Sequence, residues 1–258
     1  MNTKGTTSSV LYVIEQHDQL LELWHSVDAR GLRVIHFDFH CDMRGLLVDR
    51  DRQLAFFPQG LPRVDEGNFL AHAIAEKRLE RIRWIHDIPG GRKYDVGTVM
   101  YTTDLSVQPI RWLLNRQHKP GFPFGYQEME FSRWEGALDE EFMDIDWDFF
   151  AARDYPPDTL GARVEAFLGK NFERLPTQIS VCYSPRYSHS SRPQFEEFVD
   201  RLAGMFHSEI VYLPLPQATG PAKLSDHPAI KRFFYRIRYL FKHMHYETSL
   251  WLRKRDIY

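Results

Sequence analysis

Short apolar runs alternating with segments of helical period restrict this chain's fold more than any other feature. Residues 9–14, 32–38, 141–148, 178–183 and 209–213 are rich in Val, Ile and aromatic side chains, as strands require. Residues 81–87 and 96–103 are further strand candidates. Between the first two runs, Leu20, Leu21, Leu23, Trp24 and Val27 recur at helical spacing, with Gly31 as a stop. Residues 68–78, 159–172 and 194–206 also read as helices. A β-α-β opening predicts a parallel pair joined by a right-handed crossover. Continued alternation predicts an α/β fold of three layers, doubly wound, around a mostly parallel sheet.

Residues 1–8 read as a disordered lead-in and residues 9–213 as one domain. Residues 44–66, interrupted by Pro58, Gly60 and Pro62, read as irregular, and residues 117–135 as a loop or an edge excursion. Residues 214–228 form a polar, proline-rich connector. Beyond it Ile230, Phe233, Phe234, Ile237, Leu240, Phe241 and Met244 repeat at helical spacing among Lys231, Arg232, Arg236, Arg238 and Lys242. This predicts a basic amphipathic helix over 230–253, packed on the domain. It is also the surface through which a homo-oligomer would form.

Composition removes several function classes. A formal net charge of −2 argues against a general nucleic-acid binder. Two cysteines, Cys41 and Cys182, make neither a disulfide framework nor a zinc knuckle. No apolar run approaches the ~20 residues of a membrane-spanning helix. The polar residues 1–9 lack the apolar centre of a signal peptide, so a reducing cytoplasm is the default location.

Two of the strands run out into acid. After Val34-Ile35-His36-Phe37 come Asp38, His40 and Asp42, a D-x-H-x-D set whose members share one side if extended geometry persists. After Met143 come Asp144, Asp146 and Asp148, again of one parity. Buried carboxylates this close are costly without a cation. In an open parallel sheet, ligands bind beyond the C-terminal strand ends. His17, both acidic sets and the loop at Ser184 all fall at such ends. Carboxylates with imidazoles and no thiolate requirement suit Mn²⁺, Fe²⁺, Zn²⁺ or Mg²⁺. His36, one step deeper, reads as a core histidine, and Cys41, of opposite parity, as packing.

Asp38-Phe-His-Cys-Asp42 resembles the first metal motif of the ureohydrolase (arginase/agmatinase) fold, and Asp144-Ile-Asp146 resembles its second. The chain is more closely similar to the UPF0489 family, which includes peptide arginases that convert arginine side chains to ornithine. The similar stretches are residues 10–17, 36–42, Asn68-Phe-Leu70 with Trp84, 144–150 and 182–185. The resemblance implies a binuclear Mn²⁺ site, with Zn²⁺ or Fe²⁺ as alternatives, held by His17, Asp38, His40, Asp42, Asp144 and Asp146. A register using Asp146 and Asp148 stays open, because all three carboxylates share parity.

The same resemblance implies hydrolysis of a linear amidine by a metal hydroxide. Asp146 or Asp148 would hold the guanidinium or carry a proton, and His189 would shuttle one. Asn68 and Ser184 are candidates for substrate binding. True arginases place G-G-D-H where this chain has Glu15-Gln16-His17, and their grip on the amino-acid end of free arginine has no counterpart here. A peptide, or another small guanidino compound, is therefore the expected substrate. The competing expectations are a single-zinc, deacetylase-like amidohydrolase and a metal-stabilised binding protein without turnover.

Overall fold

A computed structural model of the chain describes residues 9–57, 61, 63–88, 121–172 and 174–214. The expected lead-in, the strand at 96–103 and the basic helix at 230–253 lie outside the described residues. In chain order the elements begin β1 (Val10–Ile14), α1 (Gln19–Ser26), β2 (Leu32–Phe37), β3 (Leu47–Asp49), β4 (Leu54–Phe56), α2 (Phe69–Ala75) and β5 (Leu79–His86). They continue β6 (Phe122–Pro123), β7 (Gly125–Glu130), β8 (Phe142–Asp146), α3 (Asp148–Ala151), α4 (Leu160–Leu168), β9 (Gln178–Cys182), α5 (Arg192–Phe206) and β10 (Glu209–Tyr212).

The main sheet has seven strands in the order β10-β1-β9-β8-β2-β5-β7. Every pairing within it is parallel. From β2 the chain winds outward through β5 and β7. It then returns to β8 beside β2 and winds the other way. The β2/β8 junction is therefore the topological switch point, where ligands of such sheets bind.

Strand parity sorts the core into two layers. Leu11, Val13, Ile35, Phe37, Met143, Ile145, Ile179 and Val181 face one side and pack with Phe149, Phe150, Phe167, Phe195 and Phe198 of α3, α4 and α5. Ile14, Val34, Ile82, Trp84, Phe142 and Cys182 face the other, against Leu20, Leu21 and Trp24 of α1 and Phe69, Leu70 and Ile74 of α2. Helices on both faces explain why these strands read as near-continuous apolar runs. Ser191 and Gln194 form a capping box at the start of α5.

Three segments differ from expectation. Residues 125–130 form a full edge strand, with Tyr126 buried and the other positions half-exposed, so their polar sequence hides a strand. The stretch expected to be irregular contributes β3 and β4 to a small antiparallel sheet completed by β6. Finally, α1 ends at Ser26 rather than Gly31, and Asp28 already takes a positive φ of 45°.

The Trp84 indole on β5 donates to the backbone carbonyl of Asp38 at 3.0 Å, pinning the chain where β2 ends. Replacing Trp84→Phe should leave that buried carbonyl without this donor and cost about 1–3 kcal/mol. The measurement is the urea midpoint, and an unchanged midpoint contradicts this role.

Candidate metal centre

The side facing α1 and α2 carries a polar stripe through otherwise apolar strands. His36 on β2 is in register with Asp144 on β8, which is in register with Ser180 on β9. All three are fully buried. One step toward the C-terminal ends, Asp146 on β8 is in register with Cys182 on β9. Asp38, directly after β2, lies at the same height. The stripe is thus two residues deep.

The deep layer is hydrogen-bonded. Asp144 accepts from the Ser180 hydroxyl at 2.6 Å and meets His36 Nδ1 at 2.8 Å. His17 Nε2 lies 3.0 Å and 3.1 Å from its two oxygens. Burial opposes the Asp144 charge, yet His17 and His36 hold this carboxyl far below its ordinary range. Asp144 is therefore an anion already engaged by three donors.

The upper layer is satisfied only in part, with both Asp146 oxygens hydrogen-bonded, by Asp148 N–H and the Ser184 hydroxyl. His17 Nδ1 lies 2.9 Å from Asp42, 3.1 Å from Asp146 and 3.6 Å from Asp38, yet is aligned with none of them as a hydrogen bond. Asp38 Oδ2 and Asp148 Oδ2 are likewise buried and unbonded. Asp148 Oδ2 sits 2.9 Å from His40 Nδ1. Donor atoms of His17, Asp38, Asp42 and Asp146 lie within 4.8 Å of one another, as do those of Asp38, His40 and Asp148. Asp38 belongs to both sets. Convergent, unbonded oxygens and nitrogens of this kind fit dications.

The electrostatics agree. Burial pushes the Asp38 carboxyl well above its ordinary range, and Asp148, Asp42 and Asp146 push the same way. Asp146 is raised by burial and then by Asp148. Against burial, Asp144 and Asp146 raise the His17 imidazole well above its ordinary value. Asp148 likewise lifts His40 to about 9. These shifts favour protonation at the centre, which offsets the crowded carboxylates as a cation would.

Local backbone explains the placement. β2 ends at Phe37, so extended geometry does not persist through Asp38, His40 and Asp42. The segment folds back, with His40 N–H on Asp38 Oδ1 at 2.7 Å and Asp42 at φ 47°. Such non-glycine backbone is uncommon and concentrates at functional sites. Likewise β8 ends at Asp146, and Asp148 opens α3 rather than continuing a strand. Phe39 N–H donates to Asp148 Oδ1 at 3.3 Å, tying the two acidic segments together. His17 sits just ahead of α1, its ring 4.7 Å from that of Phe69.

Several expected roles change. Asp144, expected to be a ligand, lies one layer deeper, behind His17, where its donor atoms and those of His17 and His36 lie within 4.8 Å of one another as a further set that could hold an ion. His36 is buried as expected, but joins Asp144 to Asp38, its Nε2 lying 3.2 Å from Asp38 Oδ2. The Asn68 amide closes the turn before α2, accepting from Asp65 N–H at 2.8 Å and donating to Arg63 O at 2.9 Å. That is a structural task. Ser184, at φ 44°, is buried and donates to Asp146 Oδ2 at 2.7 Å, so it orients a carboxylate. His189 is anchored by its backbone N–H on Ala151 O. Among the described residues no hydrogen bond or ion pair joins its ring to the centre. Cys41 packs in the apolar layer, as expected.

Sequence reasoning missed the rim. Tyr187 is 43% exposed, with its ring 5.4 Å from that of His40. Glu66, opposed by Arg186 at 3.6 Å, is mostly buried, and Asp42 and Asp146 both raise its pKa after burial has done so. No periodicity marks these positions.

No family model and no curated protein matches the chain. Among solved structures it is similar to proclavaminate amidinohydrolase from Streptomyces clavuligerus, at 16% identity, covering 77% of this chain and 63% of that one with a TM-score of 0.37. An arginase from Medicago truncatula matches at 13% identity over 76% of this chain and 57% of that one, TM-score 0.42. Formimidoylglutamase from Bacillus subtilis subsp. subtilis str. 168 matches at 10% identity over 77% and 59%, TM-score 0.35. The chain thus spans 57–63% of the length of these structures. Likeness this weak decides nothing about chemistry. Among the described residues no helix is long and apolar enough to cross a membrane.

Without metal, stability should fall as pH rises. The folded His40 value of about 9 exceeds its ordinary 6.5, so its contribution is complete below 6.5 and lost through about 9. The raised Asp38, Asp146 and His17 act in the same direction. The depressed Asp144 contributes a constant amount over that window. Thermal melts of chelator-treated protein should lose several degrees across it, and added Mn²⁺ should remove the loss. A flat metal-free profile contradicts these shifts.

Proposed function

We propose that the chain is a metal-dependent hydrolase of a C–N bond, holding two dications, whose substrate is an arginine side chain of a peptide. The observation that carries the metal reading is the sharing of Asp38 between the two sets of convergent donors. One ion would be held by His17, Asp38, Asp42 and Asp146, the other by Asp38, His40 and Asp148. Of the two registers open in the sequence, this is the Asp146/Asp148 one. Mn²⁺ is the preferred ion for a centre of carboxylates and imidazoles, with Zn²⁺ or Fe²⁺ as alternatives. The arginine substrate is supported by the resemblance of the acidic motifs to ureohydrolases and to the UPF0489 family.

The bound dications would supply a water made nucleophilic at neutral pH and a positive field for its attack. The chain's own residues prepare that chemistry. With Asp144 accepting from His17 Nε2–H, the imidazole presents Nδ1 to the centre in a fixed tautomer and orientation. Ser184 holds Asp146, and Phe39 N–H holds Asp148. Carboxylate oxygens of Asp146 or Asp148 not engaged by a cation can accept guanidinium N–H groups. Water adds to the guanidinium carbon, the bond to the side-chain nitrogen breaks, and that nitrogen leaves as an amine after gaining a proton. The products are urea and ornithine.

Incubation of the full chain with Mn²⁺ and an arginine-containing peptide should release urea and give the peptide the mass of its ornithine form. Chelation should abolish turnover and Mn²⁺ should restore it. Failure with peptide and small guanidino substrates, at confirmed two-metal occupancy, contradicts the proposal. A single tightly held Zn²⁺ would favour the deacetylase-like chemistry instead.

Asp144→Asn tests the supporting layer separately. It should weaken metal binding about 10–100-fold while leaving the far-ultraviolet circular dichroism unchanged. Unaltered affinity contradicts the role given to Asp144.

A further inference from the structure

Cys182 is the one polar group of the upper layer not used above. It is fully buried, in register with Asp146 on the adjacent strand, and on the same side of the sheet. Its Sγ, a ring nitrogen of His17 and a carboxylate oxygen of Asp146 lie within 4.8 Å of one another. His17 Nδ1, 3.1 Å from the Asp146 carboxylate, is buried without a hydrogen-bond partner. Ser184 Oγ, which gives its proton to Asp146, lies 3.2 Å from Cys182 Sγ and can accept the S–H. Carboxylates favour hard cations, whereas a thiolate favours Zn²⁺, Co²⁺ and similar soft or borderline ions.

We infer that Cys182, with His17 and Asp146, forms a thiolate-containing site for a thiophilic dication, which competes with the hard ion for His17 and Asp146. The inference rests on the metal-centre reading and adds a selectivity device to it. Binding breaks the S–H bond, forms a sulfur–metal bond and releases the thiol proton, together with the proton of a cationic His17, to solvent, with no change of oxidation state. His17 and Asp146 cannot serve both ions in full. Zinc occupancy therefore excludes the four-residue arrangement with Asp38 and Asp42.

Cobalt titration of the full, metal-stripped chain tests this without reference to activity. Co²⁺ should produce a sulfur-to-cobalt charge-transfer band in the near ultraviolet. Zn²⁺ should bleach it. The band should vanish in Cys182→Ala and persist in Cys41→Ser, and Cys182→Ala should weaken Zn²⁺ by about tenfold or more while leaving Mn²⁺ affinity unchanged. Wild-type protein that binds Co²⁺ without the band overturns the inference and leaves the metal centre intact. A band retained in Cys182→Ala also overturns it. Failure of Co²⁺ to bind at all overturns both. The wild-type spectrum is decisive even if a variant misfolds.

Discussion

Asp38, Asp42, Asp146 and Asp148 are buried within reach of one another where two neighbouring strands end. Like charges so placed cannot all stay ionised in a dry site without positive charge among them. In the metal-free chain the raised pKa values of His17, His40, Asp38 and Asp146 answer that demand by favouring their protonated forms. The rest of the local structure follows from it. The left-handed turns at Asp42 and Ser184, the fold-back at His40 and the helix start at Asp148 all bring donors to one point. Apolar packing on both faces of the sheet holds them there.

The sheet supplies depth as well as position. Since β2, β8 and β9 are parallel and in register, residues two apart on one strand meet residues two apart on the next. His36, Asp144 and Ser180 form one level, and Asp38, Asp146 and Cys182 the next. The lower level is hydrogen-bonded within itself and grips His17 from behind. The upper level leaves Asp38 Oδ2 unbonded beside His17 Nδ1. In the proposed centre, depth separates Asp144, which orients His17, from Asp146 and Asp148, which would act as ligands, although all three occur in the single run Asp144-Ile-Asp146-Trp-Asp148.

Much of this was legible in the sequence because hydrophobic burial imposes it. Continuous apolar runs demand a sheet covered on both faces, and their order with the helices demands parallel pairing, as found. His17, Asp38, His40, Asp42, Asp144, Asp146 and Asp148 could be placed together because each lies near or beyond the C-terminal end of a strand. What was not legible depends on backbone that leaves ideal geometry. Strand parity could not show that extended structure stops at Phe37, or that Asp148 starts a helix. The depth of Asp144 depends on its register with His36 and Ser180, which parity leaves open. A signal did exist, because a charged or polar residue two steps before a strand's acidic end is itself costly to bury. Gly125–Glu130 was hidden by the polarity that an edge strand tolerates.

Equilibrium metal stoichiometry tests the central claim most directly. The full chain, stripped and then dialysed against Mn²⁺, should bind two ions per chain by elemental analysis. Asp148→Ala should reduce this to one, because His17, Asp38, Asp42 and Asp146 still form a complete set. One ion or none in the wild-type chain, or two retained in Asp148→Ala, would contradict a pair of cations joined through Asp38.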